Sequence, residues 1–144
     1  MTVVLALRKH DDRITAKAIQ CWTNSIYSHC ELIVNDLCYS SSPMDGGVRA
    51  KTINMTSDKW DFIELPWADA DAVILYFNVT DHHKYGWVGL ITSQLFNLNR
   101  AEKDTQFCSQ WCAAAVGLPN PASYSPSTLG ALCGFVDSKL QLAT

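Results

Sequence analysis

Two short stretches hold the residues best suited to covalent chemistry. The first runs from Thr105 to Gly117 and predicts a helix. Thr105 can cap its first turn, Gly117 suits the left-handed position just past its end, and Pro119 and Pro121 oppose its resumption. Cys108, Trp111, Cys112 and Ala115 then share one face. Cys108 lies in the first turn, where free backbone N–H groups and the helix dipole favour a thiolate over a thiol. The same N–H groups can hold an oxyanion. The competing reading is a small buried cysteine packed beside Trp111.

The second stretch is Tyr27–Val34, which with Leu37–Ser40 and the intervening Asn35-Asp36 predicts a β-hairpin. Alternation puts His29, Glu31 and Ile33 on one side and Cys30, Leu32 and Val34 on the other. His29 and Glu31 are then same-face neighbours, roughly 7 Å apart at the backbone. A carboxylate there can orient the imidazole and stabilise its protonated form. A solvent-facing His/Glu pair on an antiparallel sheet is the competing reading. A thiolate, an imidazole and a polar group that holds the ring are the parts of nucleophilic cysteine catalysis, whatever their order in the chain.

The elements that must position these groups follow from the remaining pattern. Thr2–Arg8 reads as a strand, and Asp12 as the cap of a helix from Arg13 to Trp22. Ser40–Gly47 is a turn-rich loop of the kind that can rim a site. Val48–Asn54, Lys59–Leu65 and Val73–Val79 read as strands. Thr80 or Asp81 caps a predicted helix from His82 to Phe96, with Tyr85, Val88, Ile91 and Leu95 inward. Ser125-Pro126 starts a last helix, expected to stop at Gly134. The expected fold is α+β, a small antiparallel sheet packed against helices, in one domain over residues 1–144.

Composition narrows the function classes. With 48% apolar and 17% charged residues, the 144-residue chain can form a core and is not disordered by composition. A net charge of −3 and the lack of a basic run exclude an electrostatic case for nucleic acid. Val3–Leu7 is too short for a signal peptide and no stretch reaches the length of a membrane span. The expected location is therefore cytoplasmic, with the six cysteines reduced. No C-x-x-C pair occurs, so zinc has little support. His82-His83 could bind a metal, but adjacent histidines on a helix would point in different directions.

Ser28-His29-Cys30-Glu31-Leu32, Phe107-Cys108-Ser109-Gln110 and Tyr124-Ser125-Pro126-Ser127-Thr128-Leu129 resemble motifs of the circularly permuted papain-like amidases, the YiiX-like branch of the NlpC-type superfamily. Tyr39-Ser-Ser and Gly46-Gly47-Val48-Arg49 are similar to small bacteriophage members. The resemblance spans Val3 to about Leu132. It implies a cysteine-dependent hydrolase acting on a peptide, amide or acyl substrate, with Cys108 as nucleophile, His29 as base and no metal or cofactor. Glu31 fits the third role by strand geometry, whereas relatives often place that group further on, at Ser40 or Ser42 here. Substrate contacts are assigned to Tyr85, Ser40, Ser42 and Gln110. The family's Cys-Ser-Glu reads Cys108-Ser109-Gln110 in this chain. The alternative is an inactive papain-like binding or virion-associated phage protein, and for a phage-encoded chain the compartment would be the host cytoplasm.

Overall fold

A computed structural model describes residues 1–9, 26–87, 90 and 104–142. The predicted helix from Arg13 to Trp22 lies outside them, as does most of the one from His82 to Phe96. In chain order the elements are β1 (Val3–Arg8), β2 (His29–Val34), β3 (Leu37–Ser42), β4 (Gly47–Lys51), β5 (Trp60–Leu65), α1 (Ala70–Thr80), β6 (Lys84–Tyr85), β7 (Thr105–Gln106), α2 (Cys108–Ala115), a 3₁₀ turn at Pro121–Ser123 and α3 (Pro126–Leu142). The result is an α+β fold. One seven-stranded sheet runs in the order β5-β1-β2-β3-β4-β6-β7, antiparallel except where β6 and β7 pair in parallel.

The hairpin forms as expected, with Asn35 and Asp36 both in the left-handed conformation that suits a tight two-residue turn. Val3, Leu5 and Leu7 of β1 and Cys30, Leu32 and Val34 of β2 join one buried core with Val73 of α1, Trp111 and Cys112 of α2, and Leu129 and Cys133 of α3. Six of the seven residues from Cys108 to Ala114 are buried, as is Ala115, so α2 is enclosed on nearly every side. The helix fits there because its polar groups are satisfied, Ser109 on Tyr124 O, Gln110 on Phe107 N–H and Trp111 on Thr80, and because it ends in the small residues Ala113-Ala114-Ala115. At Gly130 of α3 a Cβ would lie 2.5 Å from Leu7 Cδ1, so that glycine sets how closely α3 approaches the sheet.

Three expectations are corrected. Val73–Val79 belongs to helix α1 and is not a strand. Asp69 Oδ1 accepts from the N–H groups of Asp71 at 2.9 Å and Ala72 at 3.4 Å, which nucleates the helix. Ala70, Val73 and Thr80 are buried along one stripe, with Tyr76 and Phe77 packed on the core. The β-branched run was ambiguous, and packing against α2 decides it: Trp111 Nε1 donates to Thr80 Oγ1 at 2.9 Å. Second, Lys84 and Tyr85 form strand β6. Third, α3 continues past Gly134 to Leu142, because Gly134 sits against Ile63 of β5 and does not take a left-handed cap conformation.

Candidate active site

Helix α2 starts later than its sequence suggests. Thr105 and Gln106 form β7, and the N-cap is Phe107, so Thr105 does not cap the helix. The shift makes Cys108 the first helical residue, closer to the positive end of the dipole than expected. Phe107 has no side-chain acceptor, so no side chain caps the first-turn N–H groups. Gln110 supplies only half of a capping box: its Oε1 accepts from Phe107 N–H at 3.4 Å. At the other end Gly117 takes φ +76°, with Gly117 N–H on Ala114 O at 3.0 Å and Leu118 N–H on Ala113 O at 2.9 Å, a Schellman closure.

His29 opens β2 on the side of the strand facing away from Cys30, whose sulfur lies 3.7 Å from Cys112 of α2. The β2–β3 ladder begins only at Leu32↔Tyr39, so the two strands have parted beside His29. Ser40 Oγ bridges that parting by donating to Cys30 O at 2.7 Å. His29 Nε2 meets Glu31 Oε1 at 2.7 Å, which leaves Nδ1 as the ring nitrogen that Glu31 does not engage.

Glu31 is fully buried, yet remains ionised. Burial opposes its charge, but Arg49 grips both carboxylate oxygens: Nη1 donates to Oε2 at 2.6 Å and Nη2 to Oε1. The hydrogen bond and charge of His29 act in the same direction, and the carboxyl is held below its ordinary range. Arg49 is anchored in turn by Asp45 Oδ2, which accepts from Nε at 2.9 Å. In the sequence Arg49 stands out only as part of the Gly46-Gly47-Val48-Arg49 motif. The register places it: β4 pairs Arg49 with Ser40, on the face that carries Glu31.

The electrostatics favour a charged pair. Burial pushes the His29 imidazolium toward neutrality, but the charges of Glu31 and Cys108 outweigh it and raise the pKa to about 10. The Cys108 thiol is held well below its usual value by a hydrogen bond from the Cys30 thiol, against burial, with the charge and hydrogen bond of His29 acting in the same direction. Cys30 moves the opposite way: burial pushes its thiol up, so it remains a donor. Strand alternation puts Cys30 on the opposite side from His29 and by itself signals no part for it beside the nucleophile. The five described cysteines, Cys30, Cys38, Cys108, Cys112 and Cys133, are free thiols.

The four residues assigned to substrate contact fare differently. Tyr85 is buried on β6, its ring 4.9 Å from that of half-exposed Trp87. Burial raises its phenol pKa, and the charge of Cys108 adds to this; the ring packs in a buried cluster with Leu90, Phe107 and Ala122. Gln110 adjoins Cys108 but is committed to the Phe107 N–H. Ser40 is spent on the Cys30 carbonyl and has no hydrogen bond to His29. Ser42 pairs with Gly47 at the end of β3 that the antiparallel β2–β3 register sets level with His29, with no side-chain hydrogen bond to that ring among the described residues. Gln106 received no role from the sequence. It anchors the entry to α2, donating from Nε2 to Tyr76 Oη at 2.5 Å and accepting from Ser41 Oγ on its carbonyl at 2.6 Å.

An apolar groove lined by Trp67, Leu75, Tyr76, Val79, Ala114 and Gly117 lies at the opposite end of α2 from Cys108 and is not part of this site. No family model and no curated protein sequence matches the chain. The site is therefore read from its own geometry.

Proposed function

We propose that the chain is a cysteine-dependent hydrolase of peptide, amide or ester acyl groups, built on a permuted papain-like, NlpC-type fold. The observation that carries this is the run of contacts Arg49–Glu31–His29, together with a thiol, on the first residue of a buried helix, whose charged form His29 stabilises. The Cys108 thiolate attacks the substrate carbonyl, and the backbone N–H of Cys108 helps hold the resulting oxyanion. The His29 imidazolium gives its proton to the leaving amine or alkoxide as the acyl–thioester forms. The neutral imidazole then takes a proton from water, which attacks the thioester and releases the acid and the thiolate. Glu31 keeps the ring turned and charged, and Arg49 keeps Glu31 ionised. Tyr85 and Trp87 supply an aromatic wall for the acyl group.

Burial of Cys108 to 2% exposure favours a second reading, a papain-like shell that binds without turnover. Among the described residues no helix is long and apolar enough to cross a membrane, and a phage origin with action in the host cytoplasm remains part of the proposal.

The test is the pH dependence of Cys108 alkylation in the wild type and in His29→Ala. The enzyme reading expects a thiolate already reactive near pH 6 and at least a tenfold loss of rate there without His29. A slow thiol that titrates near 8.5 and ignores His29 would leave the binding shell.

A further inference from the structure

Outside the thiol site, one cluster combines three metal-ligating side chains. His82, His83 and Asp104 each offer a donor atom, and the three atoms lie within 4.8 Å of one another. On a helix, as the sequence predicts here, adjacent histidines would diverge. The chain is instead a turn at Asp81-His82, and the two rings meet edge to face with centroids 4.6 Å apart.

The sheet register explains the convergence. Lys84 pairs with Thr105 in the parallel β6–β7 ladder, so His83 and Asp104 are the residues immediately before the two paired strands. Lys84 N–H donates to Asp104 O at 3.0 Å. His83 is held at both backbone groups, its N–H on Thr80 O at 2.9 Å and its carbonyl accepting from Val48 N–H at 2.9 Å. A Cβ on Gly47 would come within 2.1 Å of that carbonyl, so the close approach requires glycine. Asp104 takes φ +58°, a left-handed conformation that aspartate tolerates better than most residues.

His83 turns Nε2 toward Asp104, 3.6 Å from Oδ1. Its Nδ1 faces away from that edge and is buried with no hydrogen-bond partner among the described residues, so Nε2 is the nitrogen placed to take a cation. Zinc bonds of about 2.0–2.2 Å set tetrahedral donors roughly 3.3–3.6 Å apart, so the His83–Asp104 separation already matches one edge. His82, with its side chain 63% exposed, is able to rotate in. Asp81 Oδ1 lies 3.7 Å from His82 Nδ1, placed to act as the outer carboxylate that orients a ligating imidazole through its other nitrogen.

We propose that His82, His83 and Asp104 form a three-ligand site for a divalent first-row transition cation of the zinc class, clipping the start of β6 to the start of β7. Two histidines and one carboxylate select such a cation over calcium or magnesium, and leave a fourth position for water. The bound ion ties down the strand that leads through Gln106 into the cysteine helix. The site stands independently of the thiol chemistry.

Cobalt titration of the full chain under reducing conditions tests it, with zinc competition giving the zinc affinity. The variants are His82→Ala and Asp104→Asn, both at exposed side chains, and asparagine keeps the left-handed backbone of Asp104. The expected result is one saturable site with visible cobalt bands from nitrogen and oxygen donors, weakened at least tenfold in each variant. Melting in EDTA should match the wild type within a few degrees. Absence of saturable binding, affinity that survives in either variant, or binding seen only through sulfur-to-cobalt charge transfer would overturn the proposal.

Discussion

The charged pair at the site predicts an unusual pH dependence of stability, and Cys108→Ala exposes it. In the folded protein His29 titrates at about 10 and Cys108 well below its normal value. In the unfolded chain the same groups titrate near 6.5 and 8.5. The raised imidazole by itself stabilises the fold fully below pH 6.5, and that contribution is lost as pH rises toward 10. The depressed thiol by itself contributes above pH 8.5 and loses its contribution as pH falls toward its folded value. Between 6.5 and 8.5 the folded pair holds one proton, on His29, and the unfolded pair also holds one, on Cys108. The two slopes cancel there, so this pair leaves wild-type stability flat across the window. Cys108→Ala removes the compensation and leaves the imidazole slope, one proton or about 1.4 kcal/mol per pH unit. Because Cys108 also helps raise His29, the loss over two pH units should be between about 1 and 3 kcal/mol. Cys30, Cys38 and Cys133 are pushed up by burial in the folded protein and titrate near 8.5 when unfolded, so they lower stability toward the top of the window equally in both proteins and drop out of the comparison. Urea unfolding at half-unit steps from pH 6.5 to 8.5, under reductant, measures both proteins. Parallel pH profiles for the two would refute the thiolate–imidazolium pair.

Arg49→Met should cost roughly 3–5 kcal/mol in urea unfolding, because among the described residues it leaves the fully buried Glu31 with His29 as its only charged partner. Ser40→Ala should cost about 1–3 kcal/mol by stripping the donor from the buried Cys30 carbonyl, while the alkylation profile of Cys108 stays in place; a shifted profile would restore Ser40 as the orienting group. Gly47→Ala should destabilise by more than about 2 kcal/mol, since its Cβ would meet the His83 carbonyl at 2.1 Å, and amide exchange should rise first at Val48, which donates to that carbonyl.

Much of this fold was legible where the code is local. Alternation in β2, the Asn35-Asp36 turn and the Gly117 terminator depend on neighbours in sequence, and the α+β architecture follows from them. So does the pairing of His29 with Glu31, because two residues along a strand always share a face. Other features depended on distant partners. Val73–Val79 carries strand-forming residues but is drawn into a helix by the Asp69 cap and by Trp111, 31 positions beyond Thr80. Thr105 looked like a helix cap, yet its backbone pairs with Lys84 and hands the first helical position to Cys108. Arg49 reaches Glu31 only because β3 sets β4 in register, and Cys30 reaches the nucleophile only because α2 packs against β2. The sequence by itself determined which groups could react and the strand on which the histidine and its acid stand together. The tertiary structure decided which groups charge them, since a buried carboxylate or thiol takes its protonation state from the partners that long-range packing brings within hydrogen-bond reach.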